Sequence, residues 1–579
     1  MIDPVFQQTG HHKRIKIFNN NGFDQANIKI SYRTDKTISI KNFHAQTYNL
    51  DATGNIIITK VDKAVVYDKQ VNKRFTERIF AFPEIKEGSI IEYEYVLDGA
   101  SEGEWYFQKS IPVAYSRFIV NFPQEIRVAA IPHCSMKIQR GTDTKASDNY
   151  TWFAMEELPA LANEPFMSCR EDYLQRLDIQ ITAYDFPGRP LVSALRTWPG
   201  IIKELVEDED FGRQLKKNIP RTSELDKMLQ GIKNPLQKMK IIHQYVRSNM
   251  QWNGIDNIWA LEGVKNAWKD KKGTSGEINL ILINLLKDAD LKARPVLLSS
   301  RENGVVNTST AGYDQFNKVM AYVEIDAKHY VLDATEKITP PQLIPLNVIA
   351  SEGLVIEKPD NLEWGWKTLW DENHKFEKKV FISSDIDEKG KRTGTASVNS
   401  YDYEKIEALD ILKKGKDKLQ ETITKQGITI DSFMVAGAEN DTLPLTVDFK
   451  FSAPTSSSGV YHYFTANYFA GFDKNPFLAD ERQTDIFFGA LQDYSISALI
   501  YLPQGYTMDV LPKNLKLITS DTNIVFTRYS SYNDGLLNIQ TTLIYKSPYF
   551  TTDAYPELVE FYKKMYAMLN EQFVYKKNN

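Results

Sequence analysis

The stretch Ser275–Leu286, SGEINLILINLL, constrains this chain more than any other. Ile278, Leu280, Ile281, Leu282, Ile283, Leu285 and Leu286 leave no polar stripe wide enough to face water. A helix built from them has to be enclosed by other elements on most sides. The residues before it supply its start. Thr274-Ser275-Gly276-Glu277 has the spacing of a capping box, in which Thr274 accepts from the N–H of Glu277 and Glu277 reaches back to the N–H of Thr274. Gly273 and Gly276 permit tight turning and close approach. Ser275 then falls on the first helical position. On that basis Thr274→Ala is expected to destabilise by about 0.5–2 kcal/mol and Ser275→Ala by much less.

The flanking sequence has a different texture. From His12 to about Pro190, short alternating strands such as IKISYRT, NIIITKV and SIIEYEYVL are separated by turn pairs at Asn21-Gly22, Thr53-Gly54 and Glu87-Gly88. This pattern predicts an antiparallel sandwich. Helical text follows: Thr197-Trp198-Pro199 starts one helix, and Asn234-Pro235 starts another by N-cap and first-turn proline. After the buried helix come strands in KVMAYVEI and HYVLDAT. From about Lys375 strands return, interrupted by a helix over Tyr403 to Lys418, and a last helix runs roughly from Tyr555 to Phe573 with Leu558, Phe561, Met565 and Met568 on one face. The predicted fold class is α+β and multidomain. Residues 1–190 are expected to form an N-terminal β-sandwich, 191–365 a central α+β domain, and 366–579 a β-rich domain with a terminal helix.

Several classes of function find no support. A net charge of −5 over 579 residues leaves no footprint for nucleic acid or an anionic membrane. No run of apolar residues is long enough for a transmembrane helix, and the first residues, MIDPVFQQTG, lack the apolar core of a signal peptide. Glu207-Asp208-Glu209-Asp210 lacks the spaced oxygens and glycine of a calcium loop and is read as a solvated helix face. Eight scattered histidines form no metal pattern, and no cofactor is expected. Cys134 and Cys169 are either one bridge or two buried thiols.

The sequences GTSGEINLILINLLKDADLKARPVLLSSR and FNKVMAYVEIDAKHYVLDAT resemble the core of transglutaminase-like proteins. There a catalytic cysteine opens a buried helix, and a hairpin carries a histidine and an aspartate. The order of segments resembles exported bacterial proteins in which such a papain-like, transglutaminase-like core is flanked by β domains of unknown function. The resemblance implies a periplasmic or cell-surface location. It also places the cysteine position on Ser275, the histidine position on Lys318 and the aspartate position on Asp333.

A thiolate at a helix start beside an imidazole is a ready nucleophile, but a serine needs a positioned base. Lys318 beside Asp333 is expected to stay protonated. His329, four residues before Asp333 on one strand, is about 13 Å from it in an extended chain and too far to replace the histidine. The favoured reading is a catalytically degenerate protein that binds a peptide or protein, with Trp252 and Lys318 as binding residues and Thr274 and Glu277 as the structural cap. A glycan is the alternative ligand, suggested by the aromatic stretch Tyr461–Phe472, which also fits a core strand. The competing reading is a low-activity acyl-transfer or amide-hydrolysing enzyme with Ser275 as nucleophile.

Overall fold

In the computed structural model, residues 8–34, 38–72, 74–100, 103–145, 148–358, 361–424, 427–472 and 474–578 are described. The protein is a multidomain α+β molecule with many antiparallel sheets, a central helical region and a C-terminal helix. It divides into two compact units. One comprises the chain up to Ala160 together with Leu174–Leu195, and the other comprises Leu161–Tyr173 with Arg196–Asn579.

The first unit is made of strands whose residues alternate between core and solvent. Gln8–Lys16, Ile90–Asp98, Ser39–Leu50 and Ile56–Lys60 form one antiparallel sheet in that spatial order, and Asn27–Arg33, Phe75–Ala81 and Tyr67–Gln70 form another. Ile15, Ile91 and Tyr93 of the first share a core with Ile30 and Phe80 of the second. Farther along, Phe118, Phe153, Met155 and Leu177 make a separate core from strands Val113–Val120, Asp148–Leu158 and Arg176–Tyr184. The strand-rich text therefore feeds two small cores.

In the second unit the apolar helix lies at the centre. It spans Ser275–Asp288, and every residue from Ser275 to Leu286 is buried. Helices Pro235–Asn249 and Val264–Asp270 pack on it, as do strands Ala293–Leu298 and Lys318–Ile325. Each Leu or Ile so enclosed contributes about 1.5–3 kcal/mol relative to exposure, an upper bound for a real unfolded chain. The helix starts around it are capped locally. The Thr197 side chain accepts from Gly200 N–H, and the Asn234 side chain accepts from Gln237 N–H with Pro235 in the first turn.

The central sheet has the order Lys328–Leu332, Lys318–Ile325, Ala293–Leu298, Glu352–Lys358 and Glu363–Thr368, antiparallel throughout. Lys318 opens its strand opposite Leu298, and Ala321 pairs with Leu332. The hairpin thus brings Lys318 and Asp333 to the same end, where the buried helix begins.

The C-terminal part is an eight-stranded sheet in the order Thr429–Ala436, Leu445–Pro454, Lys391–Tyr401, Lys375–Ile386, Leu491–Tyr501, Leu536–Tyr545, Ile524–Asn533 and Leu515–Ile518. Its one parallel pairing joins Lys375–Ile386 to Leu491–Tyr501. Three local expectations change. The helix over Tyr403 to Lys418 is two helices, Asp402–Lys414 and Lys416–Ile423, parted by Gly415 at φ 136°, a conformation that glycine alone adopts readily. The last helix ends at Leu569, because Phe573–Lys577 is a strand paired with Tyr461–Phe464. The acidic run is not a helix face: Glu207 ends helix Trp198–Glu207, and the Asp208 carboxylate accepts from Asp210 N–H in the turn that follows. In the aromatic stretch Tyr461–Phe472, Phe464, Phe469 and Ala470 are core and Tyr461 is exposed.

Candidate functional site

The candidate site is the N-terminal end of the buried helix. Its capping box is complete. The Thr274 hydroxyl accepts from Glu277 N–H at 3.3 Å, and Glu277 Oε2 accepts from Thr274 N–H at 2.8 Å. Glu277 Oε1 also accepts from Glu262 N–H at 2.7 Å. Burial pushes the Glu277 carboxyl up from its ordinary value, against the pull of these N–H donors.

Ser275 is fully buried. A segment that follows the short parallel pairing of Gln251–Trp252 with Lys272–Gly273 crosses directly over it. The Ser275 hydroxyl donates to the Asn257 carbonyl at 3.1 Å and accepts from the Asn257 N–H at 3.0 Å. The Ser275 N–H donates to the Ile255 carbonyl at 3.0 Å. Thr274 Oγ1 donates to the Trp259 carbonyl at 3.3 Å. Gly276 is what lets this backbone come so close, since a Cβ there would stand 2.5 Å from the Trp259 oxygen and 2.8 Å from Asn257 Oδ1. A helix start of this kind favours an anion, so a free nucleophile there would have N–H groups for a developing oxyanion. Here the first N–H and the hydroxyl are both spent on the protein's own backbone.

Lys318 and Asp333 meet below it. Lys318 is 3% exposed, and its ammonium lies 3.3 Å from Asp333 Oδ2 and 3.2 Å from Asp256 Oδ1. Burial disfavours the ammonium, but Asp333 and Asp256 outweigh it, so the Lys318 pKa is raised. For Asp333 burial likewise opposes the charge, while Lys318, Thr335 and Asn279 hold the carboxyl below its usual range. Asp333 Oδ1 accepts from Asn279 Nδ2 at 3.0 Å, from Thr335 N–H at 2.9 Å and from the Thr335 hydroxyl at 2.6 Å. Asn279 Oδ1 in turn accepts from Ala334 N–H at 2.8 Å. The result is a protonated lysine between two carboxylates, with no spare lone pair to act as a base.

Trp252 covers this cluster. Its ring centroid is 5.7 Å from Lys318 Nζ, its Nε1 donates to the Ile255 carbonyl at 3.0 Å, and it is 38% exposed. Ser275 and Lys318 share no hydrogen bond: the Ser275 hydroxyl bonds the Asn257 backbone, and the Lys318 ammonium pairs with Asp256 and Asp333. Lys318 cannot present its charge to an anionic ligand without breaking from Asp333, so Trp252 and the edge of Asp256 are what the site shows to solvent. His329 lies on the exposed side of the hairpin, stacked on Tyr322 with centroids 5.2 Å apart. Cys134 and Cys169 are free thiols; burial raises both, Cys169 to about 12, so neither is a resting thiolate. Among the described residues no group of three or more His, Cys, Asp or Glu side chains is gathered for a metal, and no helix is long and apolar enough to cross a membrane.

Three contributors were not singled out in the sequence: Asp256, Asn257 and Asn279. Asn279 carried a signal, being with Asn284 one of two polar residues inside an apolar helical run. Asp256 and Asn257 carried none, since their role depends on a loop meeting a helix 18 residues away.

The small loss expected for Ser275→Ala is overturned by these bonds. Alanine leaves the N–H and the carbonyl of Asn257, a half-buried residue, without these partners, which costs about 1–3 kcal/mol. Denaturation midpoints should show Ser275→Ala destabilising at least as much as Thr274→Ala, at about 0.5–2 kcal/mol. A clearly smaller loss for Ser275→Ala would mean that the hydroxyl bonds to Asn257 do not hold in solution.

Residues 7–160 match the model of a domain of unknown function with a solved structure, DUF3857, and residues 460–575 match a second of the same description, DUF3858. The whole fold is similar to the crystal structure of a "putative protease" from Parabacteroides distasonis. The TM-score is 0.59 at 12% identity, over 98% of this chain and 96% of that one. At that identity the likeness shows the fold alone. No curated protein matches the chain.

Proposed function

We propose that this chain is a catalytically degenerate transglutaminase-like protein that serves as a peptide- or protein-binding scaffold in the cell envelope. One observation carries the reading: the Ser275 hydroxyl is closed in a two-way exchange with the Asn257 backbone while Lys318 is locked between Asp256 and Asp333. A serine nucleophile needs a base that takes its proton in the transition state. A carbonyl oxygen cannot do that, and an ammonium cannot either. The similarity to a "putative protease" fold over nearly the full chain, with DUF3857 and DUF3858 matched on either side of the core, supports a scaffold descended from enzymes. No observation favours turnover through Ser275.

The test restores what was lost. The double variant Ser275→Cys, Lys318→His has the residue types of the active pattern. Its thiol should nevertheless react slowly with iodoacetamide in the native protein, because residues 255–259 cover it. Rapid alkylation near neutral pH, together with peptide-bond or acyl-transfer turnover, would show an open, working cleft and overturn the proposal. The envelope location rests on the resemblance alone. Fractionation of cells expressing the full-length gene product should place it in the periplasm or at the surface, and a cytosolic pool would remove that part.

A further inference from the structure

A cavity of about 530 Å³ opens on the eight-stranded sheet. It lies on the opposite face from Val380, Ile382 and Val398, whose side chains pack with Leu419 and Ile423 in the core. Strand alternation sends the intervening residues outward. One row crosses six strands in register, from Asp448 through Ser397, Phe381, Ser497 and Gln540 to Tyr529. A second row beside it runs from Lys450 through Thr395, Ser383 and Leu499 to Asn538.

The two rings are bare. Phe381 is 50% exposed and Tyr529 is 53% exposed, and neither has a ring partner among the described residues. The side chains of Asp448, Lys450, Asn538 and Gln540 likewise have no hydrogen-bond partner among the described residues. Phe381 stands between the hydroxyls of Ser397 and Ser497, Tyr529 stands beside Gln540 just past the cavity, and the unused amide, carboxylate and ammonium groups lie farther along the same two rows; such a face matches a ligand with an apolar face and a rim of hydroxyls. A pyranose ring has that form. Charge selects the same class, because one carboxylate and one ammonium cancel and offer nothing to a polyanion. The strands from Leu445–Pro454 across to Leu536–Tyr545 are paired on both edges, so across the middle of the face they have no free main-chain groups to give an extended peptide. Across the strands the apolar side chains alternate with polar ones, Phe381 between Ser397 and Ser497, Leu499 between Ser383 and Asn538 and Met434 beside Asp448, which is not the continuous apolar centre of a protein interface.

We infer that this sheet face binds a neutral glycan chain lying across the strands, with sugar rings on Phe381 and Tyr529 and hydroxyls bonded to Gln540, Asn538, Asp448 and Lys450. The inference stands apart from the sealed helix and survives whether or not Ser275 is inert.

Calorimetric titration of the full chain with maltohexaose, cellohexaose and chitohexaose tests it, alongside a tryptic digest of casein as the peptide probe. At least one hexasaccharide should bind. Phe381→Ala and Gln540→Ala should each weaken that binding, Phe381→Ala by about tenfold. Both should leave the unfolding midpoint unchanged, because their side chains are exposed. No heat from any of the three at millimolar concentration would overturn the inference. So would binding that both variants leave intact, or casein peptides binding through the same two residues.

Discussion

Lys318→Met is expected to remove about 3–5 kcal/mol of folding stability. The lysine side chain is 3% exposed and Asp333 beside it is 0% exposed. Methionine fills similar space, so packing is not the main loss. What remains is a carboxylate enclosed by protein, with Thr335 and Asn279 as donors but no counter-charge. Asp256, with 28% of its side chain exposed, can turn to water and loses less. Adding Asp333→Asn to Lys318→Met removes the uncompensated charge, so the double variant should be less destabilised than the sum of the two single ones. Urea midpoints of the four proteins measure this. Additive losses, or a single loss below about 1 kcal/mol, would mean that the lysine is not ion-paired in solution.

The sign of the pH dependence follows from the two shifts. The Lys318 pKa is raised, so its contribution is present below its unfolded value of about 10.4 and fades as pH rises through the folded one. The Asp333 pKa is lowered, so its contribution is present above about 3.9 and fades as pH falls through the folded one. Across the neutral range the pair is constant.

The neutral-to-acid range belongs to His243. It is buried on helix Pro235–Asn249, with Nε2 3.2 Å from the Asp333 carbonyl oxygen. Since a carbonyl only accepts, Nε2 carries the proton of the neutral ring. Burial, followed by the nearby Arg247 charge, lowers its pKa to about 4. In the unfolded chain the ring titrates near 6.5. Its contribution is therefore complete above about 6.5 and is lost as pH falls towards 4, amounting to about 3 kcal/mol. The buried carboxyls Glu277 and Glu336, both raised, act with the opposite sign in acid, since the folded state holds their protons more tightly. The clean observable is thus a difference. Between pH 6.5 and 4 the wild-type unfolding midpoint should fall more steeply than that of His243→Gln. Parallel profiles would mean that His243 is not held neutral by the fold.

What could be read in advance followed from local chemistry. The capping residues Thr274 and Glu277, the starts at Thr197 and Asn234, and the buried face Leu558, Phe561, Met565 and Met568 all act within one or two helical turns, so their spacing in sequence is their spacing in space. The break at Gly415 was legible in kind, since glycine there disfavours a continuous helix, but helix-favouring residues such as Leu412, Lys413, Lys416 and Leu419 on both sides masked it. The covering of Ser275 was not legible. It depends on two backbone groups of Asn257, and backbone groups are the same in every residue. Asp256 reached Lys318 by the same route, carried there by a loop whose path is set by Gly276 and by the short pairing at Trp252. Sequence spacing could suggest that Ser275 was a poor nucleophile. It could not show that the position is occupied by the chain itself.

The most direct measurement is covalent labelling of the native wild-type protein with a fluorophosphonate probe, read by peptide mapping. The account predicts no adduct on the peptide containing Ser275 under conditions that fully label an active serine hydrolase. An adduct on Ser275, absent after Ser275→Ala in protein shown to be folded, would contradict it.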